Sequence, residues 1–302
     1  MKQWLVKNYK VYLLIGYTFL LLIHFVIKDN FFSLSIVFYA FPLLVLIGIA
    51  AFLALLFFRR KKYRTALLIV FISLSVNWIQ NYYFSTETKI SESTSKIFYW
   101  NIAKKNRLPI DNIIKHVQRH QPDILAFVEA TRETLSNLDA LKAELPNYNF
   151  IKLKGAMLVA SKKEVMFLDF KVKTDAYKVN LLEIKTNTSS FKFIVTDLTS
   201  YLHIDKKELL NFVLNYAIEN DADAIIGDFN TPFESVHFND FNTNYNSFHS
   251  YNDGFTATWP LAIPLFEIDH IWLSKKHKPI KLYKAYNDDS DHALLISHFI
   301  LN

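Results

Sequence analysis

Apolar residues are unevenly distributed along this 302-residue chain. Up to residue 84 they form long uncharged runs, and beyond it they come in short, strand-length runs. Val11 to Ile27, bounded by Lys10 and Lys28, is just long enough to cross a bilayer. Phe31 to Phe58 is a longer uncharged run broken by Pro42, which a membrane helix tolerates when its neighbours satisfy the freed backbone groups. Thr65 to Phe84 is a third run, ending in Trp78, Tyr82, Tyr83 and Phe84, side chains suited to the headgroup level. The pattern predicts a transmembrane region over 1–84 with about three transmembrane helices, near 11–27, 31–58 and 65–84. A cleaved signal peptide is the competing reading of the first run, but no small-x-small site follows it and two more apolar runs do. Two spans with an interfacial first segment is the other alternative. His24, inside the first run, is expected to be a neutral histidine near the interface.

Residues 85–95, rich in Ser, Thr, Glu and Lys, are expected to be a polar linker. From Lys96 the pattern changes to alternating short strands and amphipathic helices. Strands are predicted at Lys96–Ile102, Ile124–Val128, Tyr148–Leu153, Ala156–Ser161, Val165–Phe170, Val179–Lys185, Phe191–Leu198, Ala224–Ile226, Ile268–Leu273, Ile280–Lys284 and Ala293–Leu301. Pro109 is placed to start a helix whose apolar face carries Ile110, Ile113, Ile114 and Val117. A second helix is expected over Leu135–Leu145. A third begins at Asp205, which forms a capping box with Glu208, and runs to Ile218. Many strands with few helices predict two packed sheets flanked by helices over 96–302.

Charge divides at the same place as hydropathy. Residues 1–84 carry nine Lys and Arg against Asp29 alone, leaving 25 basic and 27 acidic residues beyond them. The overall net charge of +6 therefore belongs to the membrane region, and the C-terminal domain is slightly acidic. A general electrostatic attraction for nucleic acid is thus lacking, apart from a local patch at Lys104, Lys105 and Arg107, which is otherwise an ordinary solvated loop. Arg59, Arg60, Lys61, Lys62 and Arg64 crowd the loop between the second and third runs, and Lys2, Lys7 and Lys10 precede the first. The positive-inside rule puts both in the cytoplasm, so three spans place the C-terminal domain on the non-cytoplasmic side of the cell membrane. A two-span arrangement leaves the opposite assignment open. The absence of cysteine excludes disulfides, thiolate metal sites and cysteine nucleophiles.

The polar residues that stand out sit where strands end. Asn101 ends the first strand, Glu129 follows the second, Asp228 follows Ala224–Gly227, Asp269 begins a strand, and Asp291 and His292 precede the last. Each has a bland alternative: Asp228 and Asn230 as turn formers, Glu129 as a helix-start acid, Asp291 as a turn cap. Five such positions are harder to assign to turns. Acids, amides and a histidine converging on one rim of a layered fold make a metal-assisted hydrolytic site.

Six stretches in this order resemble the endonuclease/exonuclease/phosphatase superfamily. They are Trp100-Asn101, Gln121-Pro122-Asp123-Ile124 through Glu129, Ile226-Gly227-Asp228-Phe229-Asn230, Thr256-Ala257-Thr258-Trp259-Pro260, Ile268-Asp269-His270-Ile271-Trp272 and Ser290-Asp291-His292. The resemblance covers 96–302 and implies a four-layer α/β sandwich acting on a phosphoester with Mg²⁺ (or Mn²⁺). By position it implies that Glu129 is the principal metal ligand, with Asn101 and Asp291 close to the ion. Asp228 would orient and deprotonate the attacking water, and Asn230 would hold that water or a phosphate oxygen. His292 would contact the phosphoryl oxygens, with Asp269 selecting its tautomer. The expected protein is a membrane-anchored Mg²⁺-dependent phosphoesterase whose substrate is a nucleic acid, lipid headgroup or small phosphoester.

Two positions depart from that pattern. Where the family carries a histidine in a Val-x-His-Leu context, this chain has Val195-Thr196-Asp197-Leu198, and Gly155-Ala156-Met157 loosely matches the usual glycine pair. An ionised Asp197 beside a scissile phosphate would repel it by a few kcal/mol at intermediate dielectric. Protonation of Asp197 or a second cation bound by it would remove the conflict, and the second cation is the favoured expectation. The alternative function is a membrane-anchored binding module that kept the fold and lost catalysis.

Overall fold

The computed structural model describes residues 2–85, 94–185 and 190–302, with side chains from residue 9 onward. The chain divides into two compact units, Met1–Tyr82 and Tyr83–Asn302. Most of the expected linker, residues 86–93, lies outside the described residues.

The first unit is helical. α1 (Lys2–Leu22) continues into a π-helical turn at Ile23–Ile27, followed by α2 (Phe32–Ala40), α3 (Leu43–Leu56) and α4 (Lys61–Tyr82). Tyr9–Ile27 and Lys61–Tyr82 are each long and apolar enough to cross a membrane. The run expected as one middle span is two helices bent by 66° at Pro42, so among the described residues there are two such helices, or up to three if the bent pair is one span. Proline cannot donate to the preceding turn, which accounts for the break. Apolar side chains cover most of the outer surface of these helices, as expected of segments that meet lipid instead of water.

The second unit opens on β1 (Tyr83–Phe84), which pairs with β11 (Gly254–Phe255). These two aromatic residues were expected to end the third membrane helix; they are instead a strand whose rings pack on Phe255 and His249. Two apolar residues do not reveal by hydropathy whether their partner is lipid or protein. The remaining elements are β2 (Ser95–Asn101), α5 (Ile110–His120), β3 (Ile124–Val128), α6 (Leu138–Glu144), β4 (Asn149–Leu153), β5 (Met157–Ser161), β6 (Val165–Lys173), β7 (Tyr177–Lys185) and β8 (Ser190–Leu198). They are followed by α7 (Lys206–Glu219), β9 (Ala224–Asp228), α8 (Phe241–Asn244), β10 (Tyr245–Ser247), β12 (Asp269–Ser274), β13 (Lys278–Ala285) and β14 (Leu294–Ile300). The expected helix at Leu135–Leu145 begins instead as a 3-10 turn, Thr134–Asn137. Asp205 does cap α7, but its carboxylate accepts from the Lys207 N–H and not from that of Glu208.

Two six-stranded mixed sheets form, in the orders β13-β14-β2-β3-β5-β4 and β10-β12-β9-β8-β7-β6. Strand alternation decides what fills each layer. Ile97, Tyr99 and Val128 on the first sheet meet Val195, Ile226 and Ile271 on the second, forming the core between them. The intervening residues Phe98, Trp100 and Phe127 pack outward under α5 and α6, while Ile194, Ile225 and Trp272 pack under α7 and α8. The result is an α/β sandwich, two mixed sheets flanked by helices.

Candidate functional site

The inner-face alternation continues past the apolar core to the sheet rim. Two positions beyond Tyr99, Val195 and Ile226 stand Asn101, Asp197 and Asp228, and two before Ile271 stands Asp269. On the second sheet these positions are in register: Lys178 opposes Asp197, Asp197 opposes Asp228, and Asp228 opposes Asp269. Gly227 makes the tight β8–β9 pairing beside them possible. A Cβ there would lie 2.0 Å from the Thr196 carbonyl oxygen.

Asp269 and His292 form the centre of the site. Asp269 Oδ2 lies 2.8 Å from His292 Nδ1, and Oδ1 accepts the Tyr99 hydroxyl at 2.9 Å. The Asp269 N–H donates to Thr258 Oγ1. Trp100 Nε1 donates to the His292 carbonyl at 3.1 Å, and Ser290 Oγ accepts the His292 N–H. The imidazole is therefore held at Nδ1 and its backbone on both sides, with Nε2 4.0 Å from Asp228 Oδ2 and 3.5 Å from Asn101 Nδ2.

Burial pushes the His292 pKa down, but Asp269 with its hydrogen bond, then Asp228 and Asp291, outweigh it and raise it to about 10. The surrounding carboxylates thus favour the protonated form of the ring. Asp269 Oδ2 stands on Nδ1, the contact that the expected role of fixing the His292 ring requires. Asp228 is raised well above the usual carboxylate range by burial, by Asp269 and by Asp197, against the opposing pull of His292. A buried carboxylate with heightened proton affinity is suited to accept a proton from water. Burial and Asp269 likewise raise Tyr99, so its hydroxyl stays a donor.

Asn101 Nδ2 donates to Asp228 Oδ2 at 2.9 Å, and its Oδ1 accepts from Ala103 N. Asn230 adopts a left-handed backbone (φ 46°), donates its N–H to Asp228 Oδ1 and gives a side-chain N–H to the Leu198 carbonyl. Glu129, also left-handed (φ 57°), stands at the end of β3, and Lys104 Nζ lies 3.3 Å from its Oε1. Non-glycine residues hold such conformations only where their surroundings impose them. Asp291 Oδ2 accepts from Trp259 Nε1 at 2.8 Å. Lys104 belongs to the basic patch expected near Asn101, and its partner is a site carboxylate. Glu129, Asp197 and Asn230 line a cleft of about 430 Å³ together with Lys104 and Lys178.

Asp197 does not stand alone as expected. Lys178 Nζ lies 2.6 Å from its Oδ2, and the Asp197 side chain is nearly buried. Neither a proton nor a second cation is needed to offset its charge, because the neighbouring strand brings an ammonium.

One group, Asp228, Asp269 and His292, has ligand atoms within 4.8 Å of one another among the described residues and could hold a metal ion. It does not include Glu129 or Asp291. The donor chemistry argues for a different division of labour. His292 Nδ1 is already engaged by Asp269 Oδ2, which commits that nitrogen to the acid–imidazole pair. Glu129, Asn101 and Asp291 supply only oxygen, which suits a hard divalent cation.

Lys178, Tyr99 and Thr258 were not singled out as site residues. Tyr99 was within reach of the alternation, two residues before Asn101. Lys178 depends on strand register, which the local pattern does not specify.

The model of the Endonuclease/Exonuclease/phosphatase family matches residues 98–292. No curated protein is similar to the chain at the sequence level. Among solved structures, Danio rerio TDP2 complexed with a single-strand DNA product is 15% identical, with a TM-score of 0.54 over 69% of this chain and 99% of that one. The human Nocturnin catalytic domain with bound sulfate is 17% identical, with a TM-score of 0.52 over 71% and 96%. A Bacteroides thetaiotaomicron mannosyl-6-phosphatase is 16% identical, with a TM-score of 0.50 over 68% and 100%. At these identities the likeness is one of fold.

Proposed function

The chain belongs to the endonuclease/exonuclease/phosphatase family, and on that premise we propose that it is a membrane-anchored, Mg²⁺-dependent phosphoesterase. The single observation that carries this reading is the Asp269–His292 pair set 4.0 Å from the Asp228 carboxylate in a rim of oxygen donors.

Asp228 takes the proton of the attacking water, a role to which its raised proton affinity is suited. Asn230, whose N–H fixes the Asp228 carboxylate, presents its side chain to the cleft and orients water or a phosphoryl oxygen. His292 donates from Nε2 to a phosphoryl oxygen, and Asp269 keeps that donor charged and aimed. Glu129, with Asn101 and Asp291, would hold the divalent cation, which when bound neutralises charge on the phosphate. Phosphoesters are the substrate class in this reading. The slightly acidic domain favours a lipid headgroup or small phosphoester over extended duplex DNA.

The catalytically impaired binding module rested on Asp197. The Lys178 counter-charge removes that objection and favours the enzyme.

Hydrolysis of a phosphoester panel by the full chain, with Mg²⁺ and with EDTA, tests this function. Turnover that needs Mg²⁺ or Mn²⁺ is expected, and activity unaffected by EDTA overturns the metal assignment. For localisation, the Arg59–Arg64 loop is assigned to the cytoplasm and the C-terminal domain to the other side of the cell membrane. A reporter active only outside the cytoplasm, fused after Asn302, should work. Activity of a cytoplasm-only reporter at that position overturns the three-span topology.

A further inference from the structure

The Lys178–Asp197 pair lies in the cleft beside the proposed reacting centre, and nothing in the mechanism above uses it. Its geometry is built from three sides. Asp197 opposes Asp228 directly across β8 and β9, so its carboxylate stands on the same rim as the proposed base. Lys178, opposite Asp197 on β7, reaches it at 2.6 Å while remaining 37% exposed. The third side is the turn between β4 and β5. Gly155 there has φ +79°, and a Cβ at that position would lie 2.9 Å from Lys178 Cδ and 3.0 Å from its Cβ. The lysine stem therefore lies against a gap that only glycine leaves open. Asn180, two residues along on the same face, donates to the Lys154 carbonyl and ties this turn to β7.

We infer that Lys178 is a phosphate-contacting residue: its ammonium, aimed by Asp197 and Gly155, receives a phosphoryl oxygen of the substrate in the cleft between Asn230 and Glu129. Asp197 is then a positioning residue for Lys178 and not a metal ligand. An ammonium has three N–H donors and no acceptor, so pairing with one carboxylate leaves donors for an anion. Burial of Asp197 against partial exposure of Lys178 gives the pair its direction, with the anion inside and the cation facing the cleft. A lone Asp197 would repel a phosphate there, whereas the neutral pair presents its positive end. This inference deepens the phosphoesterase reading and rests on it.

The test uses the full chain in detergent with two readouts: Mg²⁺-dependent hydrolysis of bis(p-nitrophenyl) phosphate, and calorimetric binding of inorganic phosphate. Lys178→Met should lower kcat/KM by about 10²-fold, the scale for losing one oxyanion donor, and should weaken phosphate binding in parallel. Lys178→Arg should recover most of both. Because Lys178→Met strands a buried carboxylate and could unfold the domain, the double variant Lys178→Met/Asp197→Asn removes both charges. It should fold and remain as impaired as Lys178→Met. A double variant restored to wild-type activity and phosphate binding would show a merely structural pair and overturn the inference. Asp197→Asn alone should raise KM more than it lowers kcat, since it frees the lysine without deleting it. If the wild type binds phosphate through Lys178 but hydrolyses no phosphoester, the phosphoesterase reading fails while the phosphate contact stands. If it neither binds nor hydrolyses, both are overturned.

Discussion

Tyr99 donates its hydroxyl to Asp269 at 2.9 Å across the gap between the two sheets, and Asp269 uses its other oxygen to hold His292 at 2.8 Å. One carboxylate thus joins the first sheet to the second and both to the His292 imidazole. Tyr99→Phe removes the donor and leaves Asp269 Oδ1 buried without it. The expected cost is about 1–3 kcal/mol of stability, with a fall in activity because His292 loses part of its support. Denaturant unfolding of the two proteins measures the first effect. Equal midpoints would show that the inter-sheet bond contributes nothing.

The His292 charge makes stability depend on pH in a definite direction. Its pKa rises on folding from an ordinary 6.5 to about 10. The folded state therefore holds the proton more tightly than the unfolded chain. Its contribution is fully present below about pH 6.5 and is lost as pH rises through about 10. In EDTA, the stability difference between wild type and His292→Gln should shrink steadily across that interval. A difference that stays constant from pH 6.5 to 10 rules out an imidazolium paired with Asp269.

Glu129→Gln and Asp228→Asn separate chemistry from folding. Asp228 is crowded by burial, Asp269 and Asp197, all of which oppose its charge, so the neutral amide is tolerated in the fold. Asp228→Asn should lose roughly 10²–10⁴-fold in kcat, the range for deleting a general base, Glu129→Gln should raise the Mg²⁺ concentration needed for activity, and both should keep an unchanged circular dichroism spectrum. Full activity in either protein contradicts the role given to that residue.

Gly227→Ala probes the β8–β9 seam. The added methyl would meet the Thr196 backbone oxygen at 2.0 Å, which no side-chain rotation relieves. The strands must separate, at a cost at or above the roughly 1–3 kcal/mol usual for overpacking. Asp197 and Asp228 flank that seam, so activity should fall further than stability alone explains. A variant with wild-type thermal midpoint and turnover would show that the seam yields freely.

Hydropathy and alternation, both local properties, are enough to separate the apolar N-terminal helices from a layered α/β domain. Alternation also places Asn101, Asp197 and Asp228 on the same face as Tyr99, Val195 and Ile226, because side chains two apart on a strand point the same way. The order of the six family-like stretches marks the rim residues, and Lys96 onward reads as strands in nearly the places they occupy. What the chain alone leaves undecided is everything that depends on which strand lies beside which. Tyr83 and Phe84 look like the end of a membrane helix until β11 pairs with them. Asp197 looks like an unmatched anion until register sets Lys178 opposite it. His292 has an ordinary titration range until folding buries it among Asp269, Asp228 and Asp291, acids up to 64 positions away in sequence. Periodicity is written into neighbouring residues, whereas charge compensation and proton affinity arise only when distant strands share one desolvated rim.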